Sequence, residues 1–102
     1  MPNLEHLDFC RELYVVEKTV EVVVSIQGEP EFIRIEAFHD LQAGRYKTRS
    51  CMQAKVKLQA AHGNQGLIET DAWVDYDLPW TDGETADEVV EQALGFLRER
   101  CD

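Results

Sequence analysis

Two runs of period-two alternation, joined by a short polar loop, constrain this chain more than any other feature. In the first, Tyr46, Thr48, Ser50, Met52, Ala54, Val56 and Leu58 share one parity, and Lys47, Arg49, Cys51, Gln53, Lys55, Lys57 and Gln59 the other. After the loop "AAHGNQG", Ile68, Thr70, Ala72, Val74, Tyr76 and Leu78 alternate with Glu69, Asp71, Trp73, Asp75 and Asp77. A repeat of two is that of a β-strand with one buried face. The outward rows are opposite in sign, basic on the first run and acidic on the second. Folded as an antiparallel hairpin over 45–59 and 67–78, they have one allowed register that pairs Lys57 with Glu69, Lys55 with Asp71, Gln53 with Trp73 and Arg49 with Asp77; the sequence alone does not fix the register. Opposite charges across strands contribute about 0.2–1 kcal/mol per pair, and a slip by one residue would bury them. The two charge blocks therefore read as a register device before they read as a binding surface with opposite poles.

Two more strands precede the hairpin. Val20, Val22, Val24 and Ile26 alternate with Thr19, Glu21, Val23 and Ser25, and Ile33, Ile35 and Ala37 alternate with Phe32, Arg34, Glu36 and Phe38. Between them, "QGEP" contains Pro30, whose missing N–H points to a turn longer than two residues. In "HDLQAG", Gly44 is the expected left-handed residue. "LPWTDG" leaves the last strand through Pro79 and turns at Asp82-Gly83. "TADE" then forms a capping box of Thr85 and Glu88. It opens a helix whose apolar stripe is Ala86, Val89, Val90, Ala93, Leu94 and Leu97, with Phe96 at the edge. Asp87 and Glu88 in the first turn and Arg98 and Arg100 in the last complement the helix dipole. The first thirteen residues fit either a short helix or an extended lead-in.

The fold expected is α+β: a four-stranded antiparallel meander with the C-terminal helix packed on one face. It forms a single domain over 1–102, a length that buries one core. No apolar run approaches the roughly 18 residues of a membrane span, and the N-terminus lacks the apolar core of a signal peptide. Cys10, Cys51 and Cys101 form no CxxC, which fits free thiols in a cytoplasmic protein.

The formal charge of −10 is unevenly placed. Residues 69–102 hold eleven acids and two arginines, whereas residues 1–68 hold nine acids and eight bases. Such a domain repels nucleic acid and anionic lipid and attracts basic partners. The excess gathers in Asp75, Asp77, Asp82, Glu84, Asp87, Glu88 and Glu91, which form the candidate acidic surface.

No residue pattern announces catalysis. His6, His39 and His62 lie in no nucleophile motif, and His39 and His62 fall in expected loops. A Cys51–His pair would need a closeness that only folding can supply. A calcium loop starting at Asp75 would meet Pro79 where a ligand belongs and Trp80 where glycine belongs. No metal, other cofactor or catalytic residue is expected. One more surface stands out: Val23, Phe32, Phe38 and Trp73 share the outward parity of their strands, opposite the helix, and need a cover. The N-terminal segment or a second copy of the chain would supply it.

Three functions follow as expectations. The first is a small non-enzymatic binding or inhibitory protein whose acidic surface engages a basic protein. The second is a homodimeric structural or regulatory domain that uses the aromatic sheet face. The third is a small-ligand protein or enzyme with a pocket between sheet and helix, near Tyr46, Met52 and Tyr76.

Overall fold

A computed structural model describes residues 13–59 and 67–102. In chain order these form β1 (Tyr14–Ile26), β2 (Glu29–Asp40), β3 (Arg45–Gln59), β4 (Leu67–Asp75) and α1 (Ala86–Arg98). The strands make one antiparallel sheet in the order β1-β2-β3-β4, the expected meander. The helix packs on one face, against β2 and β3 and touching β1. Of the thirteen N-terminal residues left between a short helix and an extended lead-in, residues 1–12 lie outside those described, and Leu13 belongs to neither helix nor strand.

The core follows the alternation. Ile33, Ile35 and Ala37 of β2 meet Val89 and Ala93 of α1, and all five are 0% exposed. Val90 and Leu97 are buried beside them, while Val20, Val22, Val24, Met52 and Leu94 pack at the margin. The central strand thus supplies the center of the core, because only there does a helix about 10 Å across cover a side chain from every direction. Leu94, expected to be fully buried, is half-buried, since it points to the edge of that contact.

The β3–β4 hairpin adopts the register offered above: in it Lys55 is the partner of Asp71, Gln53 of Trp73 and Lys57 of Glu69. Beyond Cys51–Asp75 the expectation fails. β4 stops at Asp75, and residues 76–83 leave it as a strap beside β3. Tyr76 N–H donates to Ser50 C=O at 2.9 Å, the Thr48 N–H donates to Thr81 Oγ1 at 2.9 Å, and Gly83 bridges Tyr46. Pro79 lies in the segment between these anchors, and it has no N–H for continued pairing. Arg49 consequently pairs with Glu36 on β2, 3.0 Å away, and not with Asp77. No ion pair joins Lys55 to Asp71 although they are in register.

The β1–β2 turn corrects a second expectation. Ile26 pairs with Glu29, leaving a two-residue turn of Gln27 and Gly28 with φ of 53° and 78°. These are the positive dihedrals of a tight hairpin turn. The closing pair carries the hydrogen bonds, so the next pair, Ser25 and Pro30, is of the non-bonded kind. Pro30 then loses no bond to β1. After β2, Gly44 has φ 70° as expected, and Asp40 Oδ1 accepts from the N–H groups of Gln42 and Ala43, both at 3.1 Å.

β1 begins five residues earlier than its alternation suggests, because a bulge between Val16 and Lys18 breaks the period. On either side of it, Val16 pairs with Phe38 and Lys18 with Ala37. The extra residue, Glu17, and Lys18 therefore both reach the helix side. Glu17 accepts from the Tyr46 hydroxyl at 3.0 Å, and Lys18 forms an ion pair with Asp87 of α1. The helix is anchored at its other end as well. The Asp102 carboxylate accepts from Ser25 Oγ at 2.9 Å and from the N–H groups of Gln27 and Gly28 at 2.8 and 2.6 Å.

At the helix start, Thr85 Oγ1 accepts from Glu88 N–H at 3.1 Å as expected. The reciprocal bond shifts by one residue: Glu88 Oε2 accepts from the Glu84 N–H at 3.1 Å, not from that of Thr85. Arg100 lies past the last turn, donates to the Asp77 carbonyl and stands 5.3 Å from the Tyr76 ring.

Candidate functional site

Among the described residues, nothing forms a second layer on the face opposite the helix; the N-terminal segment, one of the two covers expected for it, lies outside those residues. Register places on this face Tyr14, Val16, Thr19, Glu21, Val23 and Ser25 of β1, and Pro30, Phe32, Arg34, Glu36, Phe38 and Asp40 of β2. β3 and β4 add Arg45, Lys47, Arg49, Cys51, Gln53 and Lys55, with Asp71, Trp73 and Asp75. The apolar members gather at two levels. Val16 and Phe38 are neighbours at one, Val23 and Phe32 at the other, and Trp73 shares an open cavity of about 430 Å³ with Val23 and Phe32. Val23 is 60% exposed and Phe32 49%.

The other two aromatic residues expected to need a cover find part of it within the chain. Phe38 packs edge-on against the Tyr14 ring at 5.2 Å between centroids. Trp73 lies under the Arg34 guanidinium, 4.1 Å from its ring centroid. The same guanidinium is held by Glu21, with Nη2 2.6 Å and Nε 2.8 Å from Oε1. A flat cation that is both stacked and paired has one orientation, lying along the face.

Between the two apolar levels runs a band of paired charges, Glu21 with Arg34 and Glu36 with Arg49. Across the described residues of the four strands, Glu21, Glu36, Asp40, Asp71 and Asp75 on this face are matched by Arg34, Arg45, Lys47, Arg49 and Lys55. The face carries no net charge in a chain of formal charge −10. Among the described residues, the surplus acids lie on the strap, the helix and the C-terminal end, and on the helix side of the sheet as Glu17, Glu29 and Glu31.

The candidate acidic surface is divided by the fold. Arg45 spans Asp82 through Nε at 3.2 Å and Nη2 at 3.0 Å, and approaches Glu84 at 3.8 Å. The Arg45 hydrogen bonds hold the Asp82 carboxyl below its ordinary pKa. Asp87 pairs with Lys18, and Glu88 closes the helix cap. Asp75, Asp77 and Glu91 are exposed, with no ion pair to another described residue.

The remaining candidates separate. His39 is in β2, not in a loop, and stacks flat on Tyr46 at 4.3 Å on the helix side. Cys51 faces outward, paired in register with Arg34, so the sheet stands between its thiol and His39. Burial pushes the Cys51 thiol pKa up, the wrong direction for a nucleophile. His6 and His62 lie outside the described residues. Among the described residues no cluster of three or more His, Cys, Asp or Glu is placed to hold a metal, and no helix is long and apolar enough to cross a membrane.

A second open cavity, of about 360 Å³, lies where the strap passes β3, between Phe38, Lys47 and Arg49 on one wall and Leu78, Pro79 and Trp80 on the other. Trp80 is 89% exposed. It was not singled out from the sequence, although a tryptophan between Pro79 and two turn residues has no strand or helix period to bury it. Tyr46, Met52 and Tyr76, around which a sheet–helix pocket was expected, are partly buried and pack against the core cluster. No protein-family profile, curated protein or solved structure matches the chain.

Proposed function

We propose that this chain is a non-catalytic assembly domain that forms a homodimer through its outer sheet face. The observation that carries the reading is the coincidence of exposed apolar side chains with zero net charge on one face of an acidic protein. An acidic face would repel a second copy, and a basic protein would be drawn to the strap and helix instead. A neutral face with apolar rows suits its own image.

The size is adequate. Strands spaced by about 4.8 Å, of which the shortest has 9 residues at about 3.3 Å each, give a face at least about 19 by 30 Å, or roughly 600 Å² in projection. Stable interfaces bury about 800 Å² per partner, counted over a rough surface. Two such sheets would pack about 10 Å apart. The charge band does not oppose this, because its members are already paired within each copy.

A basic partner on the acidic surface is the less favoured reading, since Arg45 and Lys18 already occupy Asp82, Glu84 and Asp87. Sedimentation of the wild type and of Phe32→Lys across micromolar concentrations separates the two. The wild type should sediment as a dimer and Phe32→Lys as a monomer with an unchanged circular dichroism spectrum, because Phe32 is not in the core. A wild-type monomer throughout that range would overturn the proposal.

A further inference from the structure

On its outer side β2 presents, in order, Phe32, Arg34, Glu36 and Phe38. The row is an aromatic, a cation, an anion and an aromatic. Reversed end for end and laid on itself, it sets each aromatic against an aromatic and each charge against its opposite. The flanking strand extends the match, with Val23 beside Phe32 and Val16 beside Phe38. At the far side Trp73 stands near the Phe32 level and Trp80 near the Phe38 level.

We infer, resting on the face-to-face dimer proposed above, that the two copies are related by a two-fold axis that crosses the strands at Ile35. Such an axis sets Phe32 on Phe38 of the second copy, Val23 on Val16, and Arg34 on Glu36, each contact occurring twice because the interface is isologous. An axis running along β2 would set Arg34 on Arg34 and Glu36 on Glu36, and like charges at an interface oppose association strongly. The charge order on β2 selects the first axis over the second.

The partners are prepared for this contact. Arg34 is laid flat by Trp73 and Glu21, and Glu36 is held by Arg49 at 3.0 Å. Neither is saturated, since a guanidinium has five N–H donors and a carboxylate about four acceptor sites. Dimerisation would join the two internal pairs into one alternating chain: Glu21, Arg34, then Glu36 and Arg49 of the second copy. Little side-chain freedom remains to be lost on contact, which favours association.

The test is charge reversal by sedimentation equilibrium, with circular dichroism to verify folding. Arg34→Glu alone and Glu36→Arg alone should each weaken self-association by about tenfold or more. Mixed in equal amounts, the two variants should form a heterodimer with affinity at least that of the wild type, because both contacts become opposite in sign. The double variant Arg34→Glu, Glu36→Arg should recover the homodimer. If mixing restores nothing while Phe32→Lys still abolishes the wild-type dimer, this axis is wrong and the face survives as the interface. If the wild type is monomeric, or dimerises unaffected by Phe32→Lys, the axis and the face both fall.

Discussion

Arg34 and Trp73, two strands apart in the sheet, are joined by a guanidinium lying 4.1 Å from the indole centroid. The contact crosses β3, so neither residue's own hairpin places it. It covers part of the largest aromatic ring on the outer face with a charged group that Glu21 neutralises.

Replacing Arg34 with Lys keeps the charge and removes the flat surface. The expected result is a stability change of about 0.5–1 kcal/mol, the usual worth of an exposed cation–π contact. Trp73 should become more accessible to an aqueous quencher. Trp80 also emits, so the measurement belongs in a Trp80→Phe background. Unchanged quenching would mean that the guanidinium does not cover the ring in solution.

Gln27 occupies a left-handed position, φ 53°, followed by Gly28 at 78°. Asparagine tolerates that region better than glutamine, and Asn-Gly is the favoured pair for this turn. Gln27→Asn should therefore stabilise the domain by about 0.5–1 kcal/mol, read as a rise in the urea midpoint at constant slope. A fall in the midpoint would contradict the turn geometry.

Hydrogen bonds from the Gly28 N–H, then the Ser25 hydroxyl and the Gln27 N–H, hold the Asp102 carboxyl below its ordinary pKa of 3.8. A folded-state value below the unfolded one contributes stability that is fully present above pH 3.8 and lost as pH falls through the folded value. Asp102→Asn should lower the melting temperature near neutral pH. The gap from the wild type should close on acidification below the ordinary carboxylate range. A gap independent of pH would remove the carboxylate from this role.

Gly83 is buried where the strap meets the helix. A Cβ there would lie 2.9 Å from Glu88 Cδ and 3.0 Å from Val89 Cγ1. Glu88 can swing away, but Val89 is 0% exposed and cannot. Gly83→Ala should cost about 1–3 kcal/mol, the range for overpacking a core. Thr85→Ala, which only removes the cap, should cost about 1 kcal/mol. Chemical denaturation of both variants orders the two effects, and a tolerated Gly83→Ala would show that the strap can lift from the helix.

The sequence by itself determined the elements that rest on local period and chemistry. Alternation marked the strands and the faces they present, since a slip by one residue would have turned the charged rows inward; the register itself, among those of the same parity, was decided by folding. The Thr85 cap and the stripe of Val89, Val90, Ala93 and Leu97 marked the helix and its buried face. The outward parity of Val23, Phe32, Phe38 and Trp73 was legible for the same reason. Only the tertiary structure decided what depends on contacts between residues distant in the chain. Glu17 enters the bulge where the sheet brings Tyr46 to it, and Arg45 claims Asp82 because the strap crosses beside β3. Arg49 turns to Glu36 once β4 has ended, and Arg34 reaches Trp73 across an intervening strand. Each outcome is a choice among several partners of similar chemistry, and distance after folding makes that choice.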